Sequence, residues 1–578
     1  MTRLIWFWAI LPALTLACGG TAESRREVAA VVQELVSAAR PPAYVSADSG
    51  RKDLWKQVRA FYERREQQPA WVNGTVPRRE MGDLIKALRA ADDEGLDPDL
   101  YGTSLLEAWR EEASEGFVLE RGFEPVQAGR LDVWLTYLYL RYASDLASGV
   151  GDLAHADRTW RIRPDPFDAG AHLDAALEQR RIADSLLELR PENPQYDALR
   201  RALADHRARA AAGGWPAIPA GLGVRPGVSS TGVTTLASRL EASGDYKGRL
   251  PRDLDEPMAF DEALQDAVKR FQRRHGLADD GIVGRATIAQ LNVPIEQRIQ
   301  QIALNLERWR WLPRKFGDRF ILINIPEFQL EVWDGQRVPL AMRVVVGRPD
   351  TPTPVFNDEM SHLVFSPFWN VPPAIAEGET LPAFVQDPDF LARNNMEVVD
   401  ANGNPIDASE IDLEDPTTYR FRQRPGRQNS LGLVKFMFPN EYHVYLHDTP
   451  SNSLFERVHR SFSHGCVRVE QPVQLAEYLL RDQSGWTRER IEDAMHGGEE
   501  RTVKLTDPVP VFLGYWTARV PADGALQFRR DIYGIDRRQT SLMADRLARV
   551  RKVADAAVAS IAARDAPSRP LANGRSTD

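Results

Sequence analysis

The chain has 578 residues, of which 43% are hydrophobic and 27% are charged, and its formal net charge at pH 7 is -9. This length predicts three or four domains, and the composition is that of an ordinary globular protein rather than of an integral membrane or disordered chain. Because the acidic balance provides no basic field that could gather nucleic acid, we expect no nucleic-acid partner.

The first twenty residues, MTRLIWFWAILPALTLACGG, have the pattern of an export signal. The apolar stretch that follows Arg3 is fourteen residues long, which is shorter than the ~20 that a membrane-spanning helix needs. LTLAC resembles the lipobox of bacterial lipoproteins, although Thr15 stands where an aliphatic residue is usual. The resemblance implies a signal peptide at 1–18 and a lipid anchor on Cys18, with Gly19 favouring the outer membrane. An ordinary cleaved signal with an incidental cysteine is the alternative.

Cysteine usage points to a free thiol. The chain has two cysteines, and one of them lies at the signal boundary. An exported protein of this size with so few cysteines has no disulfide framework. Cys466 is therefore a buried small hydrophobe, a metal ligand or a nucleophile, and a thiol kept in an oxidising compartment favours a chemical role.

The segment that follows the signal, 19–50, has a short helical stretch and then Pro, Ser and Gly, which is typical of a tether. Residues 51–215 have helical periodicity and are interpreted as a helical domain. Its clearest apolar stripes are Leu84, Leu88 and Ala91 in one helix, and Leu131, Leu135, Leu138 and Tyr142 in another. Glycines and prolines after this domain mark a linker.

Residues 228–293 resemble the peptidoglycan-binding type 1 module and are expected to form a small three-helix unit that binds a glycan strand. The resemblance rests on Phe260, Asp261, Ala267, Val268, Phe271, Gln272, Gly276, Leu277, Asp280, Gly281, Gly284, Thr287, Leu291 and Asn292. Most of these residues could equally build only a helical core. A linker helix is predicted at 294–313 from its apolar stripe, Ile295, Ile299, Ile302, Leu306 and Trp309.

The pattern changes to β-rich after Asp318, where RFILINIPEFQLEVWDGQRVPLAMRVVVG predicts a hairpin and further strands. We assign this β-rich domain to 314–506, followed by a β extension at 507–540 and a helical or disordered tail at 541–578. Residues 372–430 interrupt the β-rich domain and have a loop-like composition.

A metal site in EYHVYLHDTP is disfavoured by geometry. The alternation predicts a strand with His443, Tyr445 and His447 on one face. On such a strand the two histidines stand roughly 13 Å apart, whereas two ligands of one zinc lie within about 4 Å of each other. We therefore expect no metal here.

A nucleophilic thiol needs a base, because at its free pKa of about 8.5 only a few per cent is ionised at neutral pH. Histidine is the usual partner. His443, His447, His459 and His464 all lie near Cys466 in the sequence, and the pattern of residue types does not choose among them.

A resemblance to a known family indicates which of these histidines is the base. His447, fifteen intervening residues and then Ser463, His464, Gly465, Cys466 and Arg468 are similar to the signature of the YkuD family of L,D-transpeptidases. FWNVPPAIA, RQRPGRQNSLGLVKFMFPN and YLHDTPSNSLF resemble the long-lid, YcbB-like subgroup. The resemblance implies a multidomain α+β protein with a helical scaffold domain, the peptidoglycan-binding module and a β-rich catalytic domain, into which 372–430 is inserted as a lid.

The resemblance also implies the roles of the central residues. Cys466 would be the nucleophile and His447 the general base and acid, oriented by the backbone of Asp448. The backbone N–H groups of His464, Gly465 and Cys466 would stabilise the oxyanion.

Four further residues are expected to bind substrate. Arg468 would bind a substrate carboxylate, and a structural salt bridge is its alternative. Ser463 would bind substrate, and Tyr445 and Trp369 would line the cleft, although aromatic residues at such spacing often belong to a core.

The implied reaction joins two peptidoglycan stem peptides by a 3→3 cross-link in the periplasm. The thiol would attack the third residue of a tetrapeptide stem and release D-Ala, and an amine of a second stem would resolve the thioester. Neither half needs a metal or a cofactor. The alternatives are an L,D-carboxypeptidase, in which water resolves the thioester, and a noncatalytic peptidoglycan-binding lipoprotein. A papain-like or NlpC-type peptidase is disfavoured, because in those families the cysteine precedes the histidine.

Overall fold

The computed structural model describes residues 21–39, 41–42, 53–103, 106, 123–150, 159–219, 222, 224–400, 402–408, 419–521 and 524–562. The chain divides into two compact units. The first comprises Met1–Asp152, Pro166–Arg190 and Leu542–Asp578, and the second comprises Leu153–Asp165 and Pro191–Ser541. The predicted signal peptide at 1–18, including Cys18, lies outside the described residues. Within the ranges given above, no helix is both long and apolar enough to cross a membrane.

The first unit is helical, as the stripes predict. Its described helices are Ala22–Ser37, Leu54–Arg64, Arg79–Arg89, Pro125–Ser148, Ala169–Glu178 and Ile182–Leu187, with a short antiparallel pair of strands, β1 (Val72–Asn73) and β2 (Val76–Pro77). The central helix, Pro125–Ser148, is buried on nearly all sides, and Leu135 and Leu138 lie in the core.

The segment 19–50, which is expected to be a tether, contains the packed helix Ala22–Ser37. Val28 and Val32 are fully buried, and the helix packs against Pro125–Ser148 so closely that a Cβ on Gly129 would lie 2.6 Å from Val31 Cγ1. Burying such valine side chains stabilises the fold by about 1.5–3 kcal/mol each. This part of the segment is therefore a structural element of the first unit.

The second unit contains the helix Pro194–Ala211, which the sequence analysis placed in the helical domain at 51–215, and the three-helix module. Strands β3 (Ser229–Ser230) and β4 (Met258–Ala259) pair beside three helices, Thr231–Ala242, Glu262–Arg274 and Arg285–Leu291. Residues that carry the resemblance, among them Ala267 and Phe271, are fully buried. The predicted linker helix follows as Ile295–Arg310.

The β-rich part of the second unit is a nine-stranded mixed sheet, named the catalytic sheet after the domain that the resemblance implies. Its strands are β5 (Arg319–Asn324), β6 (Gln329–Asp334), β7 (Arg337–Gly347), β8 (Phe356–Phe365), β13 (Val434–Met437), β14 (Leu446–His447), β15 (Ser461–Ser463), β16 (Val467–Val469) and β17 (Arg501–Gly514). The order is β15-β7-β16-β14-β13-β8-β17-β5-β6, and a further pairing of β6 with β7 closes the series on itself. Helices Pro472–Leu480 and Arg488–His496 connect β16 to β17.

The insertion between β8 and β13, named the lid, is a folded element and not the loop that its composition indicates. A four-stranded antiparallel sheet has the order β11-β10-β12-β9, and its strands are β9 (Trp369–Asn370), β10 (Met396–Val399), β11 (Pro405–Ile406) and β12 (Arg420–Gln423). Short helices, Pro373–Ile375, Leu381–Gln386 and Phe390–Arg393, complete it. The lid has its own hydrophobic cluster, which includes Val371, Leu391, Val398 and Phe421. Its sheet begins at Trp369, slightly before the expected boundary at 372.

The expected boundary of the C-terminal extension, at 507, lies inside β17. This strand pairs with β8 on one side and in parallel with β5 on the other, through residues 511–514. The strand is therefore part of the catalytic sheet to its end. Strands β18 (Ala518–Arg519) and β19 (Gln527–Phe528) follow, and the helix Ile535–Ala562 covers much of the predicted tail.

Candidate active site

Three neighbouring strands carry the candidate site on one face of the catalytic sheet, which is named the site face. Lys435 of β13 is paired with His447 of β14 in an antiparallel register, and His447 is paired with Arg468 of β16 in a parallel register. Directly paired residues share a face, and residues two apart on an extended chain do as well. Tyr445 and Cys466 therefore join the same face, while Phe436, Leu446 and Val467 are fully buried on the other.

The Cys466 thiol is half-buried at the end of this face. Its Sγ donates to the carbonyl oxygen of His443 at 3.7 Å. Burial raises the pKa of the thiol, whereas hydrogen bonding with Tyr445 and the charge of Arg468 act to lower it. The thiol is therefore the dominant resting form, and its ionisation requires a base.

His447 is buried, with 4% of its surface exposed. Its Nδ1 donates to the carbonyl oxygen of Asp448 at 2.5 Å, the partner expected from the sequence, and this leaves Nε2 as an acceptor. Burial, followed by the charge of Arg468, lowers the pKa of His447 to about 3, against the opposite effect of the Asp448 and Leu431 carbonyls. The imidazole is thus neutral at neutral pH and can accept a proton. No hydrogen bond joins it to Cys466 within the described ranges of the chain.

The prediction that His443 shares a strand face with His447 is wrong. Strand β14 contains Leu446–His447 alone, and His443 is exposed with a φ of 54°, in the left-handed region. The side chain of Asn440 explains the turn, because it accepts from the backbone N–H of Tyr442 at 3.0 Å and donates to the Val444 carbonyl at 2.7 Å. The consequence for the site is that His443 presents its backbone carbonyl to the thiol.

The other two candidate histidines lie apart from the thiol. His459 Nε2 hydrogen-bonds with Ser461 Oγ at 2.7 Å, and its ring packs against Phe328. His464 is exposed, and its Nε2 hydrogen-bonds with Glu379 Oε1 of the lid at 2.9 Å. The site thus includes a lid contact that the sequence did not predict.

The loop from Ser463 to Cys466 is shaped by its own hydrogen bonds. Ser463 is 2% exposed; its Oγ donates to the Cys466 carbonyl at 2.5 Å and accepts from the Gly465 N–H at 3.2 Å. The expectation that Ser463 binds substrate is therefore replaced by a role in fixing the loop. The Gly465 N–H is likewise engaged, so the N–H groups of His464 and Cys466 remain as the candidate oxyanion donors. Gly465 has a φ of 119°, which favours glycine.

Residues that are distant in the sequence support this loop, and no motif indicates them. Thr353 Oγ1 donates to the Gly465 carbonyl at 2.8 Å and accepts from the Gly347 N–H at 2.9 Å. The Tyr533 hydroxyl donates to the Gly347 carbonyl at 2.7 Å and accepts from the Thr353 N–H at 3.3 Å. A Cβ on Gly347 would lie 2.2 Å from the Thr351 carbonyl oxygen, so only glycine allows this approach.

Arg468 is half-buried and has no ion pair in the described part of the chain. Its Nε is buried without a hydrogen-bond partner, so the alternative of a structural salt bridge is not observed. Burial lowers the pKa of this guanidinium, and the neighbouring Cys466 acts in the opposite direction. An unpaired cation beside the thiol is suited to bind an anionic group.

The two aromatic candidates differ in their surroundings. Tyr445 is half-buried beside both Cys466 and His447, and its ring lies 5.9 Å from the imidazole. Trp369 lies in β9 and packs against the hydrophobic cluster of the lid. Tyr445 therefore belongs to the site directly, and Trp369 belongs to the lid.

Comparisons with known proteins agree with this architecture. Family models match a scaffold domain at residues 56–203, a peptidoglycan binding domain at residues 229–291 and the YkuD L,D-transpeptidase catalytic domain at residues 318–511. A Haemophilus influenzae protein assigned as an L,D-transpeptidase is 35% identical over 269 residues, covering 45% of this chain and 54% of that protein. The chain thus spans about half the length of this curated relative.

Solved structures of L,D-transpeptidases are also similar to part of the chain. One from Stackebrandtia nassauensis is 12% identical, with a TM-score of 0.19, and covers 52% of this chain and 97% of that chain. One from Xylanimonas cellulosilytica is 16% identical, with a TM-score of 0.17, and covers 52% of this chain and 98% of that chain.

The fold and the matched domains define a multidomain protein that joins a helical scaffold and a peptidoglycan-binding module to an L,D-transpeptidase catalytic domain. The site face with Cys466 and His447 lies in the last of these domains. Residues 318–511 match the YkuD L,D-transpeptidase catalytic domain, and it follows the scaffold and peptidoglycan binding domains in the order of the YcbB-like subgroup.

Proposed function

We propose that the protein forms 3→3 peptidoglycan cross-links through a thioester on Cys466. The observation that carries this proposal is the single sheet face on which a half-buried thiol, a neutral imidazole and an unpaired guanidinium lie together. A thiol nucleophile, a base and an anion-binding group are the groups that acyl transfer from a peptide with free carboxylates requires.

The first half-reaction would release D-Ala. His447 Nε2 takes the thiol proton as Cys466 Sγ attacks the carbonyl carbon of the third stem residue. The N–H groups of His464 and Cys466 stabilise the oxyanion. The C–N bond then breaks, the leaving amine receives the proton from His447, and the stem remains as a thioester.

The second half-reaction would form the cross-link. The side-chain amine of a second stem attacks the thioester, His447 removes its proton, and the sulfur leaves as a thiolate that recovers the proton. If water attacked instead, the product would be a shortened stem, which is the carboxypeptidase alternative. The lid, which contacts the catalytic loop through Glu379 and His464, would favour the amine by limiting the access of water.

The remaining domains would place this chemistry at the cell wall. We propose that residues 228–293 bind the glycan strand and that a lipid on Cys18 anchors the protein, with the outer membrane of a Gram-negative bacterium as the site. Enzymes that act on peptidoglycan work outside the cytoplasm, which agrees with the export pattern of the first twenty residues.

The decisive experiment is product analysis with the purified protein and disaccharide tetrapeptide. We expect mass spectrometry to find dimers with a 3→3 bond and one released D-Ala per bond, and we expect Cys466→Ala to form neither. His447→Ala should lower the rate by about 10²- to 10⁴-fold. His443→Ala and His459→Ala should change the rate only slightly. Tripeptide without dimers would identify a carboxypeptidase, and no release of D-Ala would leave the binding-protein alternative.

A further inference from the structure

Lys435 is a charged residue on the site face that the mechanism above does not use. It lies on β13, paired directly with His447, and is half-buried. Its neighbours along the strand, Val434 and Phe436, are fully buried on the opposite face. The site face therefore carries a cation on each side of the imidazole, Lys435 on one neighbouring strand and Arg468 on the other.

The charge of Lys435 is not neutralised by a direct ion pair within the described ranges. Glu500 is the acidic group whose charge acts on it, but the Glu500 carboxylate accepts a hydrogen bond from the Phe368 N–H at 2.8 Å instead. Burial lowers the pKa of Lys435, and the charge of Lys435 in turn acts to lower the pKa values of His447 and His362. A half-buried cation without a carboxylate costs folding free energy, which is typical of a binding group.

The spacing of the strands indicates which carboxylate Lys435 would meet. Adjacent strands lie about 4.8 Å apart, so Lys435 stands roughly 10 Å across the sheet from Arg468 and Cys466. In the donor peptide the D-Ala carboxylate lies a few bonds from the attacked carbonyl, within reach of Arg468. The side-chain carboxylate of a diaminodicarboxylic acid at the third position lies farther away, about 6 Å along an extended carbon chain.

We propose that Lys435 binds the side-chain carboxylate of the third residue of the donor stem and so makes the enzyme specific for a diaminodicarboxylic acid at that position. This inference rests on the proposed function, since it assumes that the donor carbonyl lies at Cys466. It assigns the two cations to two different carboxylates, with Arg468 near the scissile bond and Lys435 remote from it. The remote contact persists in the thioester after D-Ala has left, so it would also hold the acyl group in place for the acceptor.

The test compares two tetrapeptide donors that differ only in whether the third side chain ends in a carboxylate or in its amide. Lys435→Met removes the charge and keeps the length of the side chain, and Lys435→Arg restores the charge. Lys504→Met is the matched control, because Lys504 is exposed and lies two strands away, opposite His362. The measured quantities are KM and kcat for D-Ala release, and the Kd of each peptide for the same variants carrying Cys466→Ser.

Because hydrogen bonds to charged groups contribute about 1.5–3 kcal/mol, we expect Lys435→Met to raise KM and Kd at least about 10-fold for the carboxylate donor. The same variant should leave the amide donor unchanged, Lys435→Arg should recover most of the affinity, and Lys504→Met should resemble the wild type. An equal loss for both donors would overturn the proposal, because it would indicate a structural role, as would no loss for either. If the Kd values follow the expectation but the wild type releases no D-Ala, the carboxylate site stands and the proposed reaction fails.

Discussion

Burial shifts the pKa values of Cys466 and His447 in opposite directions. It keeps the Cys466 thiol protonated and the His447 imidazole unprotonated, because in each case the low-dielectric surroundings disfavour the charged form. Both groups are therefore neutral at rest, and in the proposed mechanism proton transfer between them creates the reactive pair. Tyr445 and Arg468 then stabilise the thiolate that forms.

The first prediction concerns the acyl-enzyme. A protein that starts at Gly19 keeps the packed helix Ala22–Ser37 and contains Cys466 as its single cysteine. After incubation with a carbapenem, whose strained lactam carbonyl is attacked by thiolates, we expect intact-protein mass spectrometry to detect one adduct. Peptide mapping should locate it in SHGCVR, and Cys466→Ser should remove it. An adduct that survives this substitution would contradict the assignment of the nucleophile.

The second prediction concerns the pH dependence of stability. The pKa of His447 falls from about 6.5 in the unfolded chain to about 3 in the fold. Below pH 6.5 the unfolded chain therefore binds a proton that the folded protein does not, and the free energy of unfolding decreases as the pH falls toward 3, by up to about 1.4 kcal/mol per pH unit.

Urea unfolding of the wild type and of His447→Gln between pH 4 and 7 checks this expectation. The variant should show a shallower decrease toward acid, because its side chain does not titrate. Parallel curves for the two proteins would mean that the pKa of His447 is not lowered in the fold.

At the scale of the structural elements, the loop from Ser463 to Cys466 is held in place by residues that are distant from it in the sequence. Tyr533 lies beyond β17, yet its hydroxyl hydrogen-bonds to both Gly347 and Thr353, and Thr353 holds Gly465. The extension after the catalytic sheet is therefore a support for the loop that carries the nucleophile.

The third prediction tests this support. Tyr533→Phe removes both hydrogen bonds and leaves buried polar groups unpaired, which should lower the free energy of unfolding by about 1–3 kcal/mol. It should also lower kcat for D-Ala release more than it raises KM, because it acts on the loop of the nucleophile. Tyr442→Phe is the matched control, since the Tyr442 hydroxyl contacts the side chain of Glu441. Equal effects of the two substitutions in kinetics and urea unfolding would contradict the supporting role.

Elements with a strong local period were predictable from the sequence, and those that depend on distant partners were not. The helical stripe through Leu135 identified the helical domain, because a helix reveals its buried face every three or four residues. A two-residue strand such as β14 has no measurable period, and its pairing with β16 depends on tertiary packing. The buried face of Ala22–Ser37 was not predicted for another reason: the Pro and Gly residues that follow this helix are typical of a tether.

The site itself was predictable to the extent that the motif is contiguous. The positions of Cys466 and His447 followed from spacing and family resemblance, and their shared sheet face agrees with the alternation of Tyr445 and His447. Lys435 and Thr353 lie far from the motif in sequence, and only the register of β13 and the turn after β7 bring them to it. A lone lysine inside the apolar segment VKFMF was the one available signal.

At the scale of the whole molecule, the fourth prediction concerns anchoring. LTLAC predicts that Cys18 carries a lipid, so radiolabelled fatty acid should enter the wild-type protein in cells and not Cys18→Ala. Separating the inner and outer membranes of these cells by density would show which membrane holds the labelled protein. Equal labelling of both proteins would exclude the lipid anchor without affecting the assignment of the enzyme.

The position of β17 also determines when the catalytic sheet can form. This strand lies between β8 and β5, so the catalytic sheet cannot close until residues 501–514 have arrived. Pairing of β5 with β17 joins segments almost two hundred residues apart, and such non-local contacts form slowly. If the proposed export signal sends the chain across the membrane amino terminus first, Cys466 would emerge before its site exists, and the thiol would have to survive an oxidising compartment until β17 completes the catalytic sheet.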